Sequence, residues 1–357
     1  MRILFLVPYP QEGASNRYRV WQYLSYLEKE GIKYSLRPFW GSRAYRLLYK
    51  NGHYFRKLFF FACGTISRIF QICGIARYNL IFIHREAYPI GGAFFETIIS
   101  ILRKPIIFDF DDAIFLSASS RPNNFIERFK NPNKVAGIIR RSRYVIAGNS
   151  FLADFALRYN PATFVIPTPI DTDKYRPNDR SLNNKTVVIG WIGSATTLDF
   201  LKSMRGVFTR LSKEFDNISF KVIGGSFSID GLSNIISKPW SSDDEIEDLK
   251  DFDVGIMPMP DNDWTRGKCG FKAILYMSMG IPCVCSPVGM NREIITDGVN
   301  GLLAYGEDEW IEKLARLIKD TGLRKRLGDA GRKTVQDRYS LKVNAPKYLN
   351  MLKKACS

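Results

Sequence analysis

The sequence predicts an α/β protein built from two doubly wound domains, each with a parallel sheet. Short apolar runs alternate with longer amphipathic stretches over most of the 357 residues. Uninterrupted apolar runs are typical of strands that helices cover on both faces, as in parallel sheets. A succession of strand, turn and helix opens at residue 3 and opens again at residue 187. The length therefore divides into two domains of roughly 150–180 residues each.

Nine apolar runs are predicted to form strands, and amphipathic stretches between them are predicted to form helices. In residues 18–29, apolar side chains recur at positions 20, 21, 24 and 27, which is the spacing of one helical face. A second such stretch covers residues 199–215. The predicted strands are residues 3–7, 80–83, 106–108, 144–147, 164–166, 187–192, 218–223, 254–257 and 283–285.

A polar connector marked by prolines separates the two domains. Four prolines fall between positions 161 and 177, and a polar run follows them. We therefore predict an N-terminal Rossmann-like domain over residues 1–168, a linker over 169–185 and a C-terminal Rossmann-like domain over 186–340. A final helix over 341–357 is expected to pack back on the first domain. Two such domains would face each other across a cleft at the carboxyl ends of their sheets.

Composition and charge exclude several classes of protein. With 45% hydrophobic and 24% charged residues, the chain is neither disordered nor collagen-like. The six cysteines form no CxxC pair, which indicates reduced thiols rather than disulfides or a zinc site. No secretory signal is visible, and glycines and prolines interrupt the longest uncharged stretch, so no membrane span is expected. The net charge of +17 indicates an anionic partner: nucleic acid, a membrane surface or a phosphorylated substrate.

The second half of the chain holds a pattern that favours a bound diphosphate. A helix is predicted to begin at Gly270 and to carry Phe271 and Lys272 in its first turn, with Arg266 and Lys268 just before it. Free backbone N–H groups at a helix start attract anions, and the three cations add to that attraction. Two solvated surface lysines are the alternative interpretation.

A second glycine-rich turn is expected to assist this phosphate site. Gly193 and Ser194 follow the predicted strand 187–192 and precede a helix, which is the context in which a backbone approaches phosphate oxygens. Glycines in such turns also serve packing alone. Trp240 is a candidate to flank a nucleobase, with a buried structural role as the alternative.

Three carboxylates follow the third predicted strand of the first half. Asp109, Asp111 and Asp112 are candidates for removing a proton from a substrate hydroxyl. Clustering is expected to raise the pKa of one of them and to suit it to work as a base. A helix N-cap at Asp112 and a divalent-metal site are the alternatives.

The first turn of the chain holds further candidates for a phosphate contact. Gly13 allows a close backbone approach, and Arg17 and Arg19 are placed to meet phosphate unless one of them pairs with a carboxylate. His84 is interpreted as a structural histidine rather than a cleft residue. The sequence contains no Ser-His-Asp order, HExxH or Walker A motif, and no GxGxxG follows the first strand.

Several motifs resemble those of GT-B glycosyltransferases of family 4. The run Gly280 to Gly289 reads GIPCVCSPVG, and residues 293–303 continue with EIITDGVNGLL, which together resemble the family's C-terminal signature. Residues 147–153 (AGNSFLA) resemble a helix start near the end of the family's N-terminal domain. Residues 166–177 (IPTPIDTDKYRP) resemble its inter-domain segment. The resemblance covers nearly the whole chain and implies a GT-B fold.

The chain departs from the family pattern at two places. Members usually carry two glutamates eight positions apart, where this chain has Gly267 and Leu275. The Arg/Lys pair usual after the first strand of the second domain is also absent, and Lys268 and Lys272 of a KCGFK motif are inferred to replace it. In the first domain, the family's His-Asp falls on Asp111 and Asp112.

The resemblance implies a retaining glycosyltransferase that moves a sugar from a nucleotide-diphosphate sugar to a glycan or lipid-linked acceptor. It implies hexosyltransferase-like chemistry in bacterial cell-surface polysaccharide synthesis, with no cofactor and no essential metal. A catalytically inactive protein of the same fold, binding nucleotide sugar or glycan, is the alternative. A nucleic-acid partner is not expected, because no RNP-like or KH-like motif is present.

A basic, aromatic segment predicts contact with an anionic membrane surface. Residues 31–85 contain ten cations and no acidic residue, with aromatic side chains interleaved. Such a composition suits an anionic leaflet, and it would make the protein cytoplasmic and peripheral on the inner face of the plasma membrane. A solubilising face with buried phenylalanines is the alternative. The ten cations are Lys33, Arg37, Arg43, Arg46, Lys50, Arg56, Lys57, Arg68, Arg77 and Arg85.

Overall fold

The structure is a computed structural model that describes residues 1–48, 50, 52–116, 131, 133–177 and 186–357. The second half of the predicted linker, residues 178–185, lies outside the described residues. By its contacts the chain forms two compact units. The first comprises Met1–Pro169 together with Asn344–Ser357, and the second comprises Ile170–Val343.

The first unit is built on a parallel sheet of six strands in the order β2-β1-β3-β4-β5-β6. The central strands are fully buried, because helices cover both faces of the sheet. The strands are β1 (Arg2–Val7), β2 (Lys33–Pro38), β3 (Leu80–His84), β4 (Ile106–Phe110), β5 (Tyr144–Ala147) and β6 (Thr163–Val165). The helices are Ala14–Asn16, Gln22–Lys29, Ser42–Leu48, Tyr54–Cys73, Phe94–Ile101, Lys134–Arg141 and Ser150–Leu157, with a 3₁₀ turn at Ile75–Arg77.

The helix after β1 starts earlier than predicted and contains a π-helical turn. It begins at Ala14 rather than at residue 18, and the π-helical turn covers Arg17–Trp21. The wider turn carries Arg19 into the unit, where its side chain is 1% exposed. Such turns interrupt the regular helical period, and they are frequent at functional sites.

The C-terminal helix, Leu341–Cys356, contributes its residues from Asn344 onward to the first unit. Tyr348 stacks on Tyr23 with ring centroids 4.1 Å apart, and it also contacts Phe82. Arg143 donates a hydrogen bond of 3.1 Å to the carbonyl of Ala355. The last helix therefore completes the core beneath β1 and β3.

The second unit repeats the plan with a parallel sheet in the order β12-β11-β10-β7-β8-β9. Its strands are β7 (Val187–Ile192), β8 (Ile218–Ile223), β9 (Ile235–Lys238), β10 (Val254–Met257), β11 (Cys283–Cys285) and β12 (Leu302–Leu303). Its helices are Ala195–Leu198, Arg205–Glu214, Glu245–Lys250, Asp263–Arg266, Phe271–Ser278, Asn291–Ile294, Gly306–Lys319 and Thr321–Thr334, with a 3₁₀ turn at Asp199–Met204 and a π-helical turn at Val335–Tyr339.

The predicted fold class is confirmed, since both halves form doubly wound parallel sheets. Each sheet has one point at which the strand order reverses, between β1 and β3 in the first unit and between β7 and β10 in the second. Crevices at the carboxyl ends of strands beside such a reversal are the usual ligand sites of doubly wound sheets. None of the described helices is both long and apolar enough to cross a membrane.

Candidate functional site

Polar side chains of the first unit gather at the reversal point between β1 and β3. His84 ends β3 and lies directly across from Asp109 of the neighbouring strand β4. Asp111 follows the end of β4, and Ser15 comes from the first turn of the helix after β1. Parallel strands bring these carboxyl ends to one edge of the sheet, so residues distant in sequence meet there.

Asp109 forms the buried centre of this cluster. Its carboxylate accepts hydrogen bonds from the guanidinium of Arg19, by Nε at 3.2 Å and also by Nη2. It contacts Nδ1 of His84 at 2.7 Å. Both Asp109 and His84 are fully buried. Because Arg19 also donates to the carbonyl of Ile166 at 2.7 Å, it is held inside the unit and does not face a phosphate.

Asp111 forms the outer part of the cluster and is 12% exposed. Arg85 donates to it from Nε at 2.7 Å, and the Ser15 hydroxyl lies 2.9 and 3.0 Å from its two oxygens. The same hydroxyl lies 2.6 Å from Nε2 of His84. Arg85 has a positive φ of 61°, and this backbone turn directs its guanidinium toward Asp111 and Asp112. The resulting chain of contacts runs from Asp109 through His84 and Ser15 to Asp111.

The expectation that clustering raises a carboxyl pKa is wrong for Asp111. Burial is the largest single influence and raises its pKa, but Arg85, by its charge and its hydrogen bond, acts together with His84 and Arg19 and holds the pKa well below its usual range. Asp111 is therefore an anion at neutral pH and, taken alone, a weak base.

Of the remaining candidates in the first unit, Asp112 borders the cluster. Its carboxylate accepts from the amide of Ala113 at 3.1 Å and lies 3.7 Å from Arg85. Gly13 is required for packing, because a Cβ there would approach Tyr9 to 2.7 Å. Arg17 lies over the Tyr18 ring and donates to the hydroxyl of Tyr18. Among the described residues, no group of three His, Cys, Asp or Glu side chains is arranged to hold a metal ion.

In the second unit, the predicted phosphate residues surround the reversal point between β7 and β10. Tyr276 fixes the helix Phe271–Ser278 at this point. Its hydroxyl accepts from the amide of Ile192 at 3.1 Å and donates to the carbonyl of Ile256 at 3.2 Å, and so bridges both strands. Gly270 begins the helix in a left-handed conformation, with φ 63°.

Lys272 lies in the first turn of this helix and reaches the end of β7. Its Nζ lies 3.3 Å from the hydroxyl of Thr197 and 5.4 Å from the centre of the Trp191 ring. Burial, assisted by the neighbouring charge of Lys268, lowers the pKa of Lys272 to about 7. Within the part of the chain that the structure describes, no carboxylate pairs with this amine, which therefore favours an anion.

Gly193, in the turn after β7, leaves the space that the Lys272 side chain and the Trp191 ring occupy. A Cβ on Gly193 would approach the Lys272 side chain to 2.8 Å and the Trp191 ring to 2.5 Å. Ser194 follows in the exposed part of the turn, where its hydroxyl contacts Thr196. Gly190, by contrast, serves packing, because a Cβ there would lie 2.2 Å from Phe252.

The other predicted residues of this site have partners of their own. Lys268 lies 3.9 Å from the centre of the Trp264 ring. Arg266 pairs with Asp261 at 2.7 Å and with Asp263 at 3.3 Å. Phe271 is half-buried against the core of the unit. Trp240 donates from its indole nitrogen to Glu245 at 2.6 Å, which ties the ring to the start of the helix Glu245–Lys250.

Comparison with known proteins finds a family match in the second unit. Residues 186–320 match the family described as glycosyl transferases group 1. The match covers most of the second unit and does not extend into the first. Among curated proteins, no sequence matches the chain.

Solved glycosyltransferase structures match this chain over almost its whole length. A glycosyltransferase from Rickettsia africae has 15% identity and a TM-score of 0.70, covering 99% of this chain and 98% of its own. Sucrose-phosphate synthase from Thermosynechococcus elongatus has 14% identity and a TM-score of 0.69, with the same coverage. Anabaena HepE in complex with UDP has 13% identity and a TM-score of 0.66, covering 99% and 100%. At these identities the likeness shows the fold, and the fold is GT-B.

The low pKa of Asp111 predicts a stability difference that depends on pH. Its folded pKa lies below the unfolded value of about 3.9. The stabilisation is therefore complete above pH 4 and is lost as pH falls through the folded pKa. Asp111→Asn should lower the free energy of unfolding by roughly 1–3 kcal/mol at pH 7 and by less at pH 3. Urea unfolding at both pH values measures this.

Asp154→Asn is the matched control, because Asp154 is exposed on the helix Ser150–Leu157. An equal loss for Asp111→Asn at pH 7 and pH 3 would contradict the ion pair with Arg85.

Proposed function

We propose that this protein is a retaining, hexosyltransferase-like glycosyltransferase that moves a sugar from a nucleotide-diphosphate sugar to a glycan or lipid-linked acceptor. The observation that carries the proposal is Lys272, a partly buried amine at the strand reversal point of the unit that matches glycosyl transferases group 1. We assign the reaction to bacterial cell-surface polysaccharide synthesis. It needs no cofactor beyond the donor and no essential metal.

The donor half of the reaction belongs to the second unit. Lys272, the helix start at Gly270 and the turn at Gly193 and Ser194 are proposed to hold the diphosphate, with Lys268 and Arg266 beside them. Negative charge grows on the diphosphate as the glycosidic bond breaks, and fixed positive charge there lowers the barrier. The solved structures of Anabaena HepE with UDP and with UDP-glucose support a donor of this class.

The acceptor half is assigned to the cluster of the first unit. Asp111 is 12% exposed whereas Asp109 is fully buried, and we propose that Asp111 faces the acceptor hydroxyl, with Asp112 beside it and Asp109 behind it. The family's two glutamates are replaced by Gly267 and Leu275. A binding protein without transfer activity is therefore the competing function, and assays of donor cleavage distinguish the two.

We also propose that the protein is cytoplasmic and docks on the inner face of the plasma membrane. The helix Tyr54–Cys73 exposes large apolar side chains, with Phe55 91%, Phe59 65% and Phe70 71% exposed. These rings are therefore not part of the core. A groove of about 620 Å³ separates this helix from Phe94–Ile101, which exposes further apolar residues. Exposed cations surround the aromatic face, whereas Arg68 is buried beneath it.

Diphosphate binding should depend on Lys272 and on pH. A bound diphosphate raises the pKa of Lys272 above its free value of about 7. UDP affinity should therefore be highest near pH 7 and should fall as pH rises toward 9. Lys272→Ala should weaken UDP binding roughly 10–100-fold at pH 7 and remove this pH dependence. Calorimetric titration with UDP, GDP and uridine measures both effects.

Lys213→Ala is the control, because Lys213 is an exposed lysine of the same unit. An equal loss of UDP and uridine binding in the Lys272 variant would exclude a phosphate contact.

Sugar transfer should depend on Asp111. Asp111→Asn should leave UDP-sugar binding intact and lower transfer by about 10²-fold or more, which is the usual effect of losing a general base. Release of UDP from a panel of UDP-sugars, with water or a glycan as acceptor, measures the rate. Transfer near the wild-type rate would mean that the carboxylates are structural.

Membrane binding should require anionic lipid and should weaken as salt rises, because exposed charges are screened beyond roughly 8–10 Å at physiological ionic strength. Replacing five cations of the aromatic face by Gln should release the protein from phosphatidylserine liposomes, since each contributes about 1 kcal/mol near the surface. Flotation measures binding. The five are Arg43, Arg46, Lys50, Arg56 and Lys57.

The control replaces five exposed cations of the second unit, most of which pair with acidic residues, and so removes the same charge. They are Lys202, Arg210, Lys213, Lys325 and Lys333. Flotation that is lost equally in both variants would show that net charge alone, and not this face, binds the membrane.

A further inference from the structure

The Ser15 hydroxyl lies between two acceptors and has only one proton to donate. Nε2 of His84 is 2.6 Å away on one side, and the carboxylate of Asp111 is 2.9 and 3.0 Å away on the other. Two hydrogen-bond patterns fit these distances. In one, Ser15 donates to His84, and in the other it donates to Asp111 and accepts a hydrogen bond from Nε2. The two patterns differ by the transfer of one proton to the imidazole.

Asp109 fixes the orientation of the imidazole in both patterns. Its carboxylate accepts from Nδ1 of His84 at 2.7 Å, so Nδ1 carries a proton whether or not Nε2 does. Arg19 holds the same carboxylate and prevents it from turning away. Nε2 is therefore the only ring nitrogen that can gain or lose a proton, and it points at Ser15.

Asp111 needs such a partner if it is to act as a base. The ion pair with Arg85 stabilises its charged form, so a proton taken up from a hydroxyl would not remain on this carboxylate. The imidazole two hydrogen bonds away is buried, with its Nδ1 2.7 Å from the carboxylate of Asp109. Transfer to His84 leaves Asp111 charged and still paired with Arg85.

We propose that Ser15 and His84 form a proton relay behind Asp111, which rests on the proposed transfer function. As the acceptor oxygen bonds to the sugar, the bond between the sugar and the diphosphate breaks, the nucleoside diphosphate leaves with the bonding electrons, and the acceptor proton passes to Asp111. The Ser15 hydroxyl takes that proton while it gives its own to Nε2 of His84. The relay ends with an imidazolium between two carboxylates, and it resets when the proton returns to solvent through Asp111. Ser15, His84 and Asp109 are positioning residues, and Asp111 alone meets the acceptor.

Asp109, His84 and Ser15 have the hydrogen-bond order of a serine hydrolase triad, but the groups around Ser15 favour a relay. A nucleophilic serine needs donors nearby to stabilise the oxyanion that forms during acyl transfer. Here a carboxylate lies 2.9 Å from the hydroxyl oxygen and would repel that oxyanion.

The first test measures which ring nitrogen of His84 carries a proton, and it needs no substrate. The sequence has two histidines, so ¹⁵N-histidine NMR of the full chain resolves His84 with His53 as an internal reference. Wild-type His84 should carry a proton on Nδ1. Ser15→Ala should keep that proton but shift the Nε2 resonance, and Ser15→Thr should restore it. A neutral His84 with its proton on Nε2, or no response to Ser15→Ala, would overturn the relay.

The second test follows the rate of UDP release from UDP-glucose and other UDP-sugars. Ser15→Ala should lower this rate by about 10²-fold with unchanged donor affinity, and Ser15→Thr should recover most of the loss. The double variant Ser15→Ala, Asp111→Asn should be no slower than the slower single variant, because the two groups act in series. Ser203→Ala, an exposed serine of the second unit, is the control.

Multiplicative losses in the double variant, or equal losses in Ser15→Ala and Ser15→Thr, would overturn the relay while leaving the transfer function standing. If wild type cleaves no nucleotide-diphosphate sugar, the proposed function fails. The relay rests on that function and fails with it, and the NMR result then decides only whether Ser15 is hydrogen-bonded to Nε2 of His84.

Discussion

The polar edge of the first unit depends on one buried carboxylate. Asp109 is fully buried and is contacted by the guanidinium of Arg19 and the imidazole of His84. Removing a charge from water is costly, and the cost is offset only when hydrogen bonds occupy the carboxylate on every side. The loss of any partner would leave a buried charge uncompensated. This constraint fixes the end of β3, the end of β4 and the π-helical turn after β1 relative to one another.

In the second unit, aromatic rings and small residues, rather than ion pairs, hold the helix of Lys272 against the sheet. Tyr276 ties its helix to β7 and β10 by two hydrogen bonds, and the glycines of the strands make room for the rings. Lys272 lies in this mostly apolar setting without a carboxylate partner among the contacts of its amine. The charges of the Asp109 cluster in the first unit are thus paired with one another, whereas Lys272 in the second unit is available to bind an anion.

The sequence predicted the central strands well and the edges poorly. Runs such as residues 3–7 and 187–192 are continuously apolar because both faces are covered. β2 and β9 were missed because these edge strands are partly solvated and carry polar residues such as Lys33 and Lys238, and β12 was missed because it has only two residues. Apolar patterning reports burial, and an edge strand is recognised mainly by its hydrogen bonds to the next strand.

The candidate site was predicted where residues are close in sequence and missed where the sheet brings them together. Lys268 and Lys272 could be found from their spacing around one helix start. The link from Ser15 to His84 spans 69 residues, and it requires both the strand order and the π-helical turn. The pKa of Asp111 was misjudged for the same reason, because Arg85 follows β3 and only the pairing of β3 with β4 places it there.

The positive φ of Arg85 lowers the stability of the fold, while its side chain supplies a charge that the candidate site uses. A non-glycine residue in the left-handed region costs of order 1–3 kcal/mol, which the surrounding contacts must outweigh. Glycine or asparagine would relax the backbone there, but neither would supply the charge that holds Asp111. Selection for thermal stability alone would therefore favour replacing this arginine. Selection for a charged Asp111 would retain it. The residue found at this position in a related chain thus indicates which of the two pressures acted on it.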